Sequence, residues 1–100
     1  MSAFVIVEVT ITNSEPYAAY RDLAGASVAR HGGRFIVRGG EVTTLEGDWT
    51  PQRIVVVEFA SVDAAKAWYF SDDYQDALRV RQANSVGKAL IVDGYTPPSS

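Results

Sequence analysis

The sequence contains no cysteine and a single histidine, His31. The missing cysteine excludes a disulfide framework, a thiolate zinc site and a thiol nucleophile, and it fits a reducing compartment. The lone histidine removes the usual means of holding a catalytic metal, because no spaced Asp/Glu set accompanies it. Positive charge is thin as well. Nine Lys+Arg stand against twelve Asp+Glu, the net charge is −3, and the basic residues are scattered. A cationic footprint for nucleic acid is therefore lacking. No apolar run approaches the ~18 residues that cross a bilayer. Met1-Ser2-Ala3 enters a strand pattern with no basic leader ahead of it. We therefore expect no metal, no cofactor, no nucleic-acid or membrane partner, and a cytoplasmic location.

What is present suits one small domain. A chain of 100 residues buries about two thirds of its unfolded surface, and its 47% hydrophobic content is rich for a monomer. Residues 3–11 (AFVIVEVTI) are β-branched and aromatic and read as a first strand. Asn13 and Ser14 can cap a helix with Glu15 and Pro16 in its first turn. Tyr17, Tyr20, Leu23, Ala24, Ser27, Val28 and His31 form the inward face of that helix, and Gly32-Gly33 ends it. A second strand over 34–38 is expected to bulge at Gly39-Gly40 and resume over 41–46. A turn at 47–51 then leads to a third strand over 53–60. Ser61 caps a second helix with Val62, Ala65, Trp68 and Tyr69 inward. Ser71 caps a third segment whose face is Tyr74, Ala77, Leu78 and Arg81. Residues 88–95 form the last strand. One domain thus covers 1–95, and 96–100 is a flexible tail. The order βαββαβ, with its last helix broken in two, predicts an α+β, ferredoxin-like four-stranded antiparallel sheet with helices on one face.

A sheet with one wet face alternates apolar and polar residues, and these strands do not. Val5, Val7, Val9 and Ile11 oppose Phe4 and Ile6; Val55, Val57 and Phe59 oppose Ile54 and Val56. Helices cover one face only, so the other implies a second copy packed sheet to sheet, a homodimer in the form of a dimeric α/β barrel.

Four segments, Gly32 to Gly40 (GGRFIVRGG), Leu45 to Trp49 (LEGDW), Arg53 to Phe59 (RIVVVEF) and Trp68 to Tyr74 (WYFSDDY), occur in this order. Together they resemble the bacterial family known as DUF1330, a domain of unknown function, from about residue 4 to 95. The resemblance implies membership of the dimeric α/β barrel superfamily. Relatives there include cofactor-free monooxygenases, muconolactone-type isomerases and haem-binding enzymes, with ligands held between helices and sheet. A shared fold does not choose among these chemistries.

Several side chains can carry chemistry. Glu8 and Glu58 interrupt apolar strands on one face. Buried close together, one would have a raised pKa and serve as general acid or base; each paired with an arginine would be structural. Arg34 and Arg38 share a side of strand two and suit a carboxylate or enolate, or ion pairs. We expect Arg38 and Glu58 to share one aromatic-lined pocket. Arg53 fits a hairpin ion pair with Glu46. Arg81 either points into the cleft or pairs with Asp72, Asp73 or Asp76. His31 is a general base, an axial haem ligand or simply the C-terminal cap of its helix. Tyr17, Tyr20, Trp68, Tyr69 and Tyr74 line a pocket for a flat molecule or pack as core. The leading expectation is a small-molecule binder or cofactor-free enzyme for an aromatic or enolisable compound. Its acid/base is Glu58, with His31 as a second candidate; Arg38, Arg81, Tyr20, Trp68 and Tyr74 bind the ligand. The alternative is a non-catalytic dimeric binding or assembly module.

Overall fold

The structure, a computed structural model, describes residues 2–98. Seven elements run β1 (Ala3–Ile11), α1 (Ser14–Arg30), β2 (Arg34–Arg38), β3 (Arg53–Phe59), α2 (Val62–Tyr69), α3 (Asp72–Asn84) and β4 (Ser85–Asp93). The strands pair in the order β2-β3-β1-β4, every pair antiparallel. This is the ferredoxin-like α+β arrangement, with all helices on one face.

Local chemistry accounts for the breaks between elements. Ser61 accepts a hydrogen bond from the Ala64 amide at 3.0 Å and starts α2. Ser71 Oγ donates to the Trp68 carbonyl at 2.6 Å and accepts from the Tyr74 amide at 3.4 Å. It thereby closes one helix and opens the next. Gly32, at φ 75°, takes the left-handed turn that ends α1.

The core lies between the helices and one face of the sheet. Val5, Val7 and Val9 of β1 and Val57 and Phe59 of β3 meet Tyr17, Ala24 and Val28 of α1, Trp68 of α2, and Tyr74 and Leu78 of α3. Trp68 Nε1 donates to the buried Ser27 Oγ at 3.0 Å, so the large ring enters the core with its polar atom satisfied. Among the described residues the opposite sheet face has no helix over it, although Trp49, from the loop before β3, reaches it at Glu8. Leu90 is 56% exposed and Val86 69% exposed, on the side shared with Ile6 and Val56.

The structure corrects several local expectations. The bulge falls at Ile36–Val37, not at Gly39-Gly40. Gly39, at φ 78°, instead turns the chain off the sheet, so residues 41–46 form no strand. The last strand begins at Ser85 and ends at Asp93, because Asn84 passes directly from helix to strand and Ser85 pairs with Ile11. Leu23 is 48% exposed, since α1 packs through the stripe of Tyr17, Tyr20, Ala24, Ser27 and Val28. Of the predicted tail, Thr96, Pro97 and Pro98 carry no regular structure, and Ser99 and Ser100 lie outside the described residues, as does Met1. No described helix is long and apolar enough to cross a membrane.

Candidate functional site

A cleft opens between α1 and the strands β1, β3 and β2. Its floor is Val7 and Val9 of β1 with Val55 and Val57 of β3. Its roof is the face of α1 from Tyr17 through Tyr20 and Ala24 to Val28, closed inward by Trp68. Four arginines also line it: Arg21 from α1, Arg38 from β2, Arg53 from β3 and Arg81 from α3. Among the described residues that form the lining, none is acidic. The free space is small, about 20 Å³, which is room for about one water molecule.

The arginines are held in different ways. Arg38 is exposed and lies over the Phe35 ring, 4.0 Å from its centre, while donating to the Arg21 carbonyl at 2.8 Å. Arg21 stands over Tyr17 at 5.5 Å. Arg81 is only 6% exposed. Among the described residues, the buried side-chain polar atoms left without a hydrogen bond are Arg53 Nε and Arg81 Nε. The Tyr20 and Tyr74 hydroxyls meet at 3.0 Å. Burial is the main reason that both phenols resist ionisation; the Tyr74 hydroxyl pushes Tyr20 further the same way, and Arg81 opposes the shift in both. Tyr74 itself is 1% exposed and sits behind Tyr20, its ring 4.1 Å from Trp68, rather than on the cleft wall.

Two expectations about charge fail here. Arg38 and Glu58 do not share a pocket. Arg38 opposes Val55 on the helix side, whereas Glu58 opposes Arg34 and faces the uncovered side. The bulge between Phe35 and Val37 is the cause, since one extra residue reverses the alternation of side chains. It separates Arg34 from Arg38 for the same reason. The Glu58 carboxylate accepts from Arg34 Nε at 2.6 Å. The Ser2 hydroxyl first, then Arg34, hold it below the usual carboxylate range. Nor do Glu8 and Glu58 approach each other. Glu8 opposes Ile54 and Glu58 opposes Phe4, roughly 13 Å apart along the strands. Glu8 instead accepts from Trp49 Nε1 and lies 3.6 Å from Lys88 Nζ.

His31 caps α1 through its backbone amide, and its Nε2 lies 3.3 Å from Asp73 Oδ1, outside the cleft lining. Arg30 donates to the other oxygen of Asp73 at 2.8 Å. The Ser71 hydroxyl, followed by Arg30, holds the Asp73 carboxyl well below the usual range. Arg81 has no acid beside it, and Arg53 turns from Glu46 into the cleft, against Gly39. Arg53 was missed as a cleft residue, although its alternation with Val55 and Val57 marks it as facing the helices. Arg21, one helical turn after Tyr17, carried a similar signal. No described cluster of three His, Cys, Asp or Glu side chains could hold a metal ion.

Residues 2–95 match the family described as a domain of unknown function, DUF1330. The chain belongs to the DUF1330 family. No curated protein matches it. Among solved structures, this DUF1330 chain is similar to RPA0582, a protein of unknown function from Rhodopseudomonas palustris. The TM-score is 0.77 at 22% identity, over 96% of this chain and 84% of that one. It is also similar to SnoaB, a cofactor-independent oxygenase from Streptomyces nogalater, with TM-score 0.68 at 12% identity over 96% and 95% of the two chains. A de novo designed protein, Foldit4, shares the fold at TM-score 0.63 and 8% identity, over 95% of this chain and 100% of that one. The same fold thus accommodates an oxygenase and a designed sequence, so function must be argued from the cleft.

Proposed function

We propose that the protein binds a small, flat organic molecule in the cleft between α1 and the sheet and carries out cofactor-free chemistry on it. The class is proton transfer or oxygenation of an aromatic or enolisable compound. The observation that carries this reading is the composition of the cleft. Aliphatic and aromatic walls converge on a few polar groups, Tyr20, Arg38 and Arg81, with Tyr74 bonded behind Tyr20. Tyr20 and Trp68 would bracket the ligand, Arg38 would close the mouth, and Arg81 would meet its polar end. The fold shared with a cofactor-independent oxygenase supports the reaction class by analogy. Neither Glu58 nor His31 fits as the acid or base of this cleft, since one faces the far side of the sheet and the other pairs with Asp73.

The narrowness of the cleft favours a second reading, a non-catalytic dimeric module whose aromatics are simply core. NMR titration of the labelled protein with phenol-sized neutral aromatics separates the two. Shifts at Tyr20, Ala24, Val55 and the Trp68 indole support the first reading. Shifts absent from all of these would leave the module.

We further propose one domain over residues 1–95 acting in the cytoplasm as a homodimer, two copies packed through their uncovered sheet faces. Support comes from the exposed Val86, Leu90 and Val92 on the same face as Ile6 and Val56, because apolar patches of this kind mark interaction sites.

A further inference from the structure

The chain has seven arginines. Arg30, Arg34 and Arg79 pair with Asp73, Glu58 and Asp76. The remaining four, Arg21, Arg38, Arg53 and Arg81, all line the same cleft, and among the described residues none has an acidic partner. In a chain with more acids than bases, this concentration gives the cleft an uncompensated positive field. Its deepest member is the most costly. Arg81 is 6% exposed and its Nε bonds to nothing. Neighbouring phenols can accept hydrogen bonds but bring no opposite charge, and a buried cation without a counter-charge is strongly unfavourable.

We infer that the molecule the cleft takes is an organic carboxylate, its anionic end received at depth by Arg81 and Arg53 and its flat apolar body held against Val7, Val55 and Tyr20. This rests on the cleft being a binding site and adds the class of ligand. A free Nε on a guanidinium leaves open the edge that meets a planar carboxylate with two parallel hydrogen bonds, and both the buried Arg81 and the half-buried Arg53 leave that edge open. The valine floor and tyrosine roof ask for an apolar body, which a bare inorganic anion lacks. The charges are also graded. Arg21 and Arg38 are exposed, Arg53 is half-buried and Arg81 is buried. An anion is thus drawn from the mouth inward. The present space holds about one water, and the exposed Arg38 side chain, stacked on Phe35 and bonded to the Arg21 carbonyl, is the group that must swing away to admit a ligand.

Benzoate and its neutral isostere benzamide test this on the full-length protein, by NMR titration of the wild type, Arg81→Met and Arg53→Met. Benzoate is expected to bind about tenfold or more tightly than benzamide in the wild type. Both variants should lose that preference, benzoate affinity falling about tenfold or more and benzamide affinity by clearly less. Arg81→Met should also melt no lower than the wild type, since it removes an unpaired buried charge. Equal binding of the two probes overturns the carboxylate inference and leaves the cleft as a binding site. Binding of neither overturns both. Benzoate binding that is unchanged in both variants places the anion elsewhere and likewise overturns the inference. If Arg81→Met fails to fold, Arg53→Met, at a half-buried position, decides alone.

Discussion

The hydroxyls of Tyr20 and Tyr74 stand 3.0 Å apart and tie α1 to α3 at the inner end of the cleft. Each satisfies the other where water is scarce, so removing one leaves its partner stranded. Tyr20→Phe should cost about 1–2 kcal/mol, and adding Tyr74→Phe should cost less than the same change in the wild type. Urea melts of the two single variants and the double variant test this. Strictly additive losses would mean that the pair is not coupled.

The same burial gives an alkaline limb. Both phenols have raised pKa values in the folded protein, Tyr20 beyond the ordinary range. Folding then favours their protonated forms. The stability they contribute is full below the unfolded tyrosine value of about 10 and falls as pH rises from there towards the folded values. Urea midpoints between pH 8 and 11 should drop for the wild type and stay flatter for the double phenylalanine variant.

Acid acts through Asp73 and Glu58, whose folded pKa values are lowered. Their stabilising effect is present above the unfolded carboxylate values of about 4. It is lost as pH falls from there through the folded values. Asp73→Asn should flatten the acid limb of a midpoint-versus-pH curve; an unchanged limb would remove Asp73 from the account.

Association should run through the uncovered sheet face. Ile6 lies opposite Leu90 on one side and Val56 on the other. The wild type is expected at twice the chain mass of 10.9 kDa, and Ile6→Asp should yield monomer or unfolded chain, because a buried unpaired charge costs several kcal/mol. Light scattering at micromolar concentration reads both; a wild-type monomer would refute the dimer.

Close backbone approach makes Gly87 hard to replace. A Cβ at Gly87 would sit 2.4 Å from the Glu8 carbonyl oxygen, whereas one at Gly40 would meet nothing within 4 Å. Gly87→Ala should therefore cost about 1–3 kcal/mol and Gly40→Ala within about 0.5 kcal/mol of nothing, read as shifts in urea midpoint.

The fold was legible wherever a local signal and a periodic one agreed. Ser61 and Ser71 announced their helices by cap chemistry, and the β-branched run of β1 announced a strand. Three things were hidden. The bulge at Ile36–Val37 has no glycine or proline to mark it, so alternation was counted straight through it and placed Arg38 on the wrong side. The start of β4 at Ser85 is set by pairing with Ile11, a contact across 74 residues that no local window contains. Leu23 fits the helical period but falls beyond the width of the packed stripe on α1. Of the residues that line the cleft, Tyr20, Trp68 and Arg81 were readable from helix faces, whereas Arg38 was named for it by an alternation that the bulge reverses. That the cleft holds arginines without acids was not readable, because it depends on where every other carboxylate finds its partner.

The bulge in β2 also divides one short strand between two parities. Upstream of it, Arg34 answers to the open side through Glu58; downstream, Arg38 answers to the cleft. A strand of five residues thus serves two surfaces whose demands are unrelated. Removing the extra residue, Ile36, should straighten the strand while leaving Arg34 opposite Glu58 and Arg38 opposite Val55, so both allegiances survive its deletion. They are lost only if the strand is straightened with all five residues kept, which turns Arg38 out of the cleft.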